Sequence, residues 1–144
     1  MKHFLNWVTA CTAIALSSVC SHIMADILII VNSNNSMNTL SNDDAKRIFL
    51  AKKTNFDDGS KIEVVDQNDG SEIRNTFYPK VTEKTAEQAR SRWAALLFSG
   101  EGQMPQAKSN DAEVINYIAS TPGAIGYVSS TNNDARVKVV LTLP

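Results

Sequence analysis

The segment Lys61–Phe77 carries the residue types of an anion-binding turn. Its pattern predicts a strand, a tight turn at Asp69-Gly70, and a helix with Ser71 as its N-cap. The first N–H groups of a helix have no partner within the helix and lie at the positive end of its dipole. A strand that leads into such a helix through a short polar loop therefore predicts a site for a small anion.

The first 25 residues have the layout of a secretory signal peptide. Lys2 supplies a positive charge, residues 4–19 are mostly apolar or small and uncharged, and the small residue Ala25 comes directly before Asp26. This pattern predicts removal of residues 1–25 and export of the remaining chain to the periplasm.

Three alternatives to cleavage after Ala25 remain open. The segment could stay as an uncleaved anchor, although polar residues interrupt the apolar run and a spanning helix needs about 20 apolar residues. Cys20 could carry a lipid, although Ser17-Ser18-Val19 before it lacks the pattern of a lipid-attachment site. Cleavage could also follow Ser21. Since no repeat or low-complexity linker occurs, we expect a single domain at 26–144.

Signal cleavage would remove all the cysteines and histidines of the chain. The chain has two of each, and they are Cys11, Cys20, His3 and His22. The mature domain would then contain no thiol nucleophile, no histidine base, and no histidine or cysteine metal ligand. Asp57, Asp58 and Asp69 lie in separate turns and lack the spacing of a calcium-binding loop. We therefore expect no enzymatic activity, no catalytic residue, no metal site and no cofactor.

Charge does not favour a nucleic acid or a membrane as the partner. The chain has 14 Lys plus Arg against 15 Asp plus Glu, with a formal net charge of −1. Like charges occur in pairs such as Lys52-Lys53, without a basic stripe. We expect neither nucleic-acid binding nor membrane insertion after the signal is cleaved.

Strands and helices alternate along the predicted domain. Short apolar runs predict strands at 27–31, 62–65, 124–128 and 137–141. Capping residues and helical periodicity predict helices from Ser41, from Ser71 to about Phe77 with Pro79 closing it, from Thr82 or Glu83 to Phe98, and from Ser109 or Asn110 to the break at 121–123. This order predicts an α/β fold with a small mixed sheet flanked by helices.

Apolar residues at helical spacing predict which helix faces are buried. The expected core residues are Ala45, Ile48 and Phe49, then Ala86, Ala89, Trp93 and Leu96 or Leu97, and finally Val114, Ile115 and Ile118. Gly100 stands where a glycine commonly ends a helix.

Four segments together resemble a known family. They are 50–53 with 57–59, Asp69-Gly70-Ser71 with Arg74 and Phe77, Trp93 with 98–100, and Pro122-Gly-Ala-Ile-Gly-Tyr-Val128. In this order they resemble the phosphate-type substrate-binding proteins of bacterial ABC transporters, which have the type II periplasmic binding-protein fold. Family members have two lobes that clamp the ligand between them. The resemblance implies that this chain corresponds to one lobe, the second.

The resemblance also implies which residues bind the anion. Phosphate binders usually have Arg-x-Asp-x-Ser-Gly-Thr at this turn, where the Arg neutralises charge, the Asp accepts the phosphate proton, and the hydroxyls and N–H groups donate. By position, this chain retains Asp69 and Ser71, whereas Gln67, Glu72 and Ile73 replace the Arg, Gly and Thr. Loss of the Arg removes about 1.5–3 kcal/mol of charge-assisted hydrogen bonding.

Two further residues complete the predicted site. Arg74 could supply the missing charge, or it could pair with Asp69 or Glu72, or lie exposed on its helix. Asn32 follows the first predicted strand, and α/β proteins bind ligands at strand ends. The predicted ligand-binding residues are Asn32, Gln67, Asp69, Gly70, Ser71, Glu72, Ile73 and Arg74. Several also have a structural explanation, since Ser71 is an N-cap and Asp69-Gly70 is a turn.

Two functions remain open at this point. The first is an exported solute-binding-like protein that binds phosphate or another small anion weakly at the N-terminus of the Ser71 helix, with a transporter or envelope protein as partner. The alternative is a ligand-free interaction or regulatory protein of the cell envelope, which keeps the fold and binds a protein partner.

Overall fold

Residues 25–144 are described by the structure, a computed structural model, so that the predicted signal peptide lies outside it apart from Ala25. The elements in chain order are β1 (Ile27–Asn32), α1 (Asn42–Phe49), β2 (Glu63–Gln67), α2 (Glu72–Thr82), α3 (Ala86–Phe98), β3 (Gln106–Lys108), α4 (Asp111–Ser120), β4 (Ala124–Val128) and β5 (Val137–Leu143). Within this range, no helix combines the length and apolar character that a bilayer span requires.

The strands form one mixed sheet in the order β3-β2-β4-β1-β5. β2 is parallel to both β3 and β4, whereas β1 is antiparallel to β4 and to β5. The carboxyl ends of β2 and β4 therefore lie at the same edge of the sheet. Because Leu28 pairs with Val128, β1 starts at that edge. The mixed α/β architecture confirms the predicted fold class.

The sheet has an apolar core on each face. One core packs α1, α2 and α3 against the sheet around Ile29, Phe49, Phe77 and Tyr127. The other packs α4 against the sheet around residues such as Ile30. The predicted buried faces of the helices are confirmed for Ala45, Ile48, Phe49, Ala86, Ala89, Trp93, Val114, Ile115 and Ile118. The prediction was wrong at the end of α3, where Leu96 is half-buried and Leu97 is 46% exposed. The faces were predictable because each of these helices packs one stripe against the sheet or a neighbouring helix.

A close backbone contact at Gly123 joins the start of β4 to the start of β2. Gly123 O accepts a hydrogen bond from Glu63 N at 2.8 Å, where β2 begins beside β4. A Cβ atom at Gly123 would lie 2.8 Å from Lys61 O, so a side chain at this position would push the two strands apart. Gly126 faces α4, and a Cβ there would lie 3.1 Å from Ile118 Cδ1. The two glycines therefore allow β4 to pack closely on both neighbours.

The sequence-based prediction was wrong about the end of α2. Pro79 was expected to close this helix, but α2 continues through it to Thr82. Proline removes one helical hydrogen bond, which residue 79 would have donated to the carbonyl of Asn75. Asn75 is exposed, so solvent can satisfy that carbonyl. The last turn is held by apolar burial of Tyr78 and Val81, which outweighs the proline.

The start of α3 and the presence of β3 also differ from the prediction. α3 begins at Ala86 rather than at Thr82 or Glu83, because Thr85 and Gln88 form a reciprocal capping box. The three-residue edge strand β3 was not predicted, since its polar sequence carries no strand signal and it exists only through pairing with β2. Gly100 has the expected positive φ of 76° just beyond α3.

Candidate functional site

A cleft of about 1080 Å³ lies at the edge of the sheet where β2 and β4 end. The N-termini of α2 and α4 both open onto it, and strand ends of this kind are where α/β folds place their ligands. Its walls are formed by Ala25, Ile27, Gln67, Glu72, Ile73, Thr76, Ser109, Asn110, Asp111, Ala112 and Ser129.

The start of α2 has the geometry that its sequence predicts. Gly70 has a φ of 80°, which lets the chain reverse after β2. Ser71 is the N-cap, and its Oγ accepts a 3.4 Å hydrogen bond from Arg74 N. Among the described residues, the N–H groups of Glu72 and Ile73 have no hydrogen-bond partner, as expected for the first helical positions. Both residues line the cleft.

Arg74 points into the protein and not into the cleft. Its side chain is buried, with the residue only 3% exposed. Arg74 Nε donates to Asp66 Oδ2 at 3.2 Å, and Nη1 lies 3.1 Å from Asp69 Oδ1. Burial is the largest single effect and lowers the pKa of Arg74. The charge of Asp66, its hydrogen bond to Arg74 and the nearby Tyr78 and Asp69 together outweigh burial and hold the pKa above its ordinary value. The predicted pairing of Arg74 with Asp69 is thus confirmed. The alternative prediction, that Arg74 lies exposed on its helix, is wrong, because the guanidinium pairs with the buried Asp66.

Asp66 is the buried acid that the sequence analysis missed. Its carboxylate accepts hydrogen bonds from Gln67 N at 2.8 Å, from the Tyr78 hydroxyl at 2.8 Å and from the Tyr127 hydroxyl, in addition to Arg74. The one available signal was an acid next to Val64-Val65 in a predicted buried strand, where an acidic side chain needs a partner.

The two tyrosines are held in the neutral form by this environment. Burial raises the pKa of Tyr78 and of Tyr127, and the adjacent Asp66 charge raises both further. The Phe77 ring stacks on Tyr127 with 3.7 Å between ring centroids. Phe77 and Tyr127, which belong to the segments that resemble the phosphate-type family, are therefore core residues that hold α2 against β4.

Asp69 is bound on both sides by guanidinium groups. Besides Arg74, Arg90 on α3 places Nη1 at 2.6 Å from Asp69 Oδ2. The turn is thus connected to α2 and α3 by ion pairs. Both carboxylate oxygens of Asp69 already have cationic partners, so Asp69 is less available to accept a hydrogen bond from a ligand.

Gln67, at the end of β2, acts as a neutral bridge to α4 and β4. Its side chain is buried, with the residue 4% exposed. Nε2 donates to Asp111 Oδ1 at 2.9 Å and to the Tyr127 carbonyl at 3.2 Å. Asp111, at the start of α4, was not among the predicted site residues. The signal that could have found it was its place directly after Asn110, a predicted helix start that opens onto the same sheet edge.

Asn32 lies away from the other predicted residues. β1 runs antiparallel to β4, so the end of β1 is at the opposite edge of the sheet. Asn32 Nδ2 donates to the carbonyls of Ile118 at 2.9 Å and Ala119 at 3.0 Å, near the end of α4. Asn34 N donates to Asn32 Oδ1 at 2.9 Å. The expectation that Asn32 joins the same site is corrected, because the antiparallel direction of β1 could not be predicted from sequence.

The charged residues that line the cleft are both acidic. They are Glu72 and Asp111, and no lysine or arginine belongs to the lining of this cleft in the described chain. What the cleft offers to an anion is therefore the N–H groups that have no partner among the described residues at the starts of α2 and α4, and the positive ends of the two helix dipoles.

Comparison with known families identifies the fold. A family model described as a PBP superfamily domain matches residues 18–142. The chain belongs to the PBP superfamily. This confirms the resemblance that the four sequence segments indicated. No curated protein matches the chain.

Solved structures place the PBP domain among phosphate-type relatives. The chain is similar to a phosphate ABC transporter substrate-binding protein of Clostridium perfringens solved with bound phosphate, with a TM-score of 0.63 and 25% identity over 81% of this chain and 45% of that one. It is also similar to an ABC-type phosphate transport receptor of Vibrio cholerae, with a TM-score of 0.63, 20% identity, and coverage of 81% and 46%. PstS of Borrelia burgdorferi matches with a TM-score of 0.62, 14% identity, and coverage of 81% and 47%. The chain thus spans about half the length of these relatives.

Removal of Arg74 tests the buried ion pair that orients α2 in this PBP domain. We expect Arg74→Met to lower the free energy of unfolding by about 3–5 kcal/mol, because it leaves the Asp66 carboxylate buried without its cation. The matched control is Arg90→Met, which removes the more exposed partner of Asp69 and should cost less than about 1 kcal/mol. Urea unfolding of the variants measures both values, and equal losses would contradict the assignment.

We expect the free energy of unfolding of this PBP domain to fall at alkaline pH because of the buried Tyr78 and Tyr127. Because the folded state raises the pKa of Tyr78 and Tyr127, their contribution to stability is fully present below the unfolded pKa of about 10 and is lost as the pH rises above it. Each tyrosine should contribute a slope of up to about 1.4 kcal/mol per pH unit. Urea unfolding between about pH 8 and 11 measures this loss.

Lysines deprotonate in the same pH range, so the diagnostic is a comparison of variants. Tyr127→Phe should reduce the alkaline slope, whereas Tyr117→Phe, which removes a half-buried hydroxyl that donates to Glu63, should reduce it less. A slope that is the same in Tyr127→Phe and in the wild type would refute the buried Tyr127–Asp66 contact.

Proposed function

We propose that the protein is an exported solute-binding-like protein that binds a small oxyanion such as phosphate, weakly, in the cleft at the N-terminus of α2. The observation that carries the proposal is the pair of N–H groups at Glu72 and Ile73, which line the cleft without partners in the described chain. Support comes from the relative of Clostridium perfringens, which is 25% identical and was solved with bound phosphate.

The proposed ligand-binding residues of this site are those at the turn and the first turn of α2. Glu72 and Ile73 contribute backbone N–H groups, and Gly70 and Ser71 shape the turn that presents them. Asp69 and Arg74 act indirectly, because their ion pair holds the turn in place. Gln67 also acts indirectly, through its hydrogen bond to Asp111 on the other side of the cleft. Asn32 is not included, since it lies at the opposite edge of the sheet.

Weak affinity follows from the charges around the cleft. Glu72 and Asp111 are negative, and the guanidinium of Arg74 is bound to Asp66 and Asp69 inside the protein. A phosphate in this site would lack the charge-assisted hydrogen bonds that an arginine supplies, which are worth about 1.5–3 kcal/mol each. We therefore expect dissociation constants on the order of millimolar, about −4 kcal/mol of binding free energy.

Phosphate titration followed by amide NMR tests the site directly. Millimolar phosphate should shift the amide signals of Glu72 and Ile73, and Glu72→Gln should tighten binding by about threefold to tenfold because it removes a like charge at the helix N-terminus. The control Glu87→Gln neutralises an exposed acid in the first turn of α3 and should leave the affinity unchanged.

The outcome of this titration also decides between the two functions. If no amide near Ser71 responds to phosphate or sulfate, the small-anion function is lost and a ligand-free interaction protein of the cell envelope becomes the better proposal. That second function would use exposed apolar residues such as Leu97 and Phe98 at the end of α3, which are 46% and 89% exposed.

Export is the second testable part of the proposal. We expect the protein isolated from the periplasm of an expressing bacterium to begin at Asp26, as measured by intact mass and N-terminal sequencing. Retention of the whole chain in the membrane fraction would favour the uncleaved anchor. A lipid-modified Cys20 would favour a lipoprotein, and an N-terminus at His22 would favour cleavage after Ser21.

A further inference from the structure

The carboxylate of Asp111 is held by donors from two strand ends. Asp111 Oδ2 accepts hydrogen bonds from Ser129 N at 2.9 Å, from Ser129 Oγ at 2.5 Å and from Ser130 N at 3.4 Å, all just beyond β4. Asp111 Oδ1 accepts from Gln67 Nε2 at 2.9 Å, at the end of β2. An amide, a hydroxyl and backbone N–H groups thus converge on one carboxylate.

This arrangement is not required to begin α4. The N-cap of α4 is Asn110, whose Oδ1 accepts a hydrogen bond from Glu113 N at 2.9 Å. The Glu113 carboxylate in turn accepts from Ser109 N at 2.9 Å and from Ser109 Oγ at 2.6 Å. The N-cap of α4 is therefore supplied by Asn110, and the Asp111 side chain is directed to other elements.

The donor set has the chemistry of an oxyanion receptor. Its members are neutral and hold the two oxygens of a carboxylate from different sides. The Gln67 side chain is buried and also anchored to the Tyr127 carbonyl, so its amide is fixed in position before any ligand arrives. Since the set contains no cation and Glu72 lines the same cleft, it suits a singly charged carboxylate better than a doubly charged phosphate.

We propose that Asp111 is an internal ligand that fills a carboxylate-binding subsite formed by Gln67, Ser129 and Ser130. This inference rests on the proposed function, because the subsite opens into the same cleft as the N-terminus of α2. A tethered carboxylate has a high effective concentration, so it outcompetes small carboxylates from solution. Asp111 is then the residue that decides whether the cleft accepts a solute bearing a carboxylate.

Formate binding to Asp111→Ala tests the internal ligand. The variant removes the carboxylate and leaves the donors in place, so formate should bind at least about tenfold more tightly than to the wild-type protein. Amide NMR of the protein as isolated from its host should show formate-dependent shifts at Ser129 and Ser130. The matched control Asp43→Ala removes an exposed acid in the first turn of α1, which makes no side-chain hydrogen bond among residues 25–144, and should bind formate as the wild type does.

Asp111→Ser is the second variant, because it also frees the space of the carboxylate while retaining a small polar side chain. If neither variant folds in buffer, refolding by formate but not by chloride supports the proposal, and failure to refold with formate overturns it. Formate affinity equal to that of the wild type in a folded variant, or an equal gain in Asp43→Ala, also overturns it.

The two proposals fail in different ways. A phosphate response at Glu72 and Ile73 in the wild type, without formate binding in the Asp111 variants, removes the internal ligand and keeps the proposed function. Formate binding at Ser129 and Ser130 in the variants, without any phosphate response in the wild type, supports the internal ligand and removes phosphate as the ligand of α2.

Discussion

The buried carboxylate of Asp66 is the constraint on which the rest of this structure depends. A charged group at this depth is costly unless a cation and hydrogen bonds compensate for lost water. Its compensating partners are Arg74 and Tyr78 on α2 and Tyr127 on β4. A single side chain of β2 therefore connects the next helix and the neighbouring strand, and it sets where α2 begins relative to the sheet edge.

The chemistry of the cleft follows from this arrangement. Because the guanidinium of Arg74 neutralises Asp66 and contacts Asp69, the nearest cation on α2 is withdrawn from the cleft. Gln67, at the end of β2, supplies a neutral amide. The cleft keeps two helix N-termini, but Glu72 and Asp111 carry negative charge at those same ends. The fold of the PBP superfamily is thus combined here with a cleft whose charged lining residues are acidic.

The sequence predicted helices and strands well where residues close together in the chain determine them. Ser41 and Ser71 cap α1 and α2 as expected, because capping involves residues only three positions apart. β4 has the predicted bounds, since a buried strand between Pro122-Gly123 and Ser129 is a continuous apolar run. β3 and the end of α2 escaped prediction, because pairing with β2 and burial against the core decide them.

The sequence by itself determined the α/β class, the helix caps, the buried faces of the helices and the polar turn at the start of α2. These features depend on periodicity and on contacts between residues close in the chain. Only the tertiary structure decided that Arg74 faces inward, that Asn32 lies at the far edge of the sheet, and that Asp111 meets Gln67 and Ser129. The physical reason is that strand order and direction bring together residues that lie far apart in sequence. Which charged side chains line the cleft then depends on which of them are paired inside the protein.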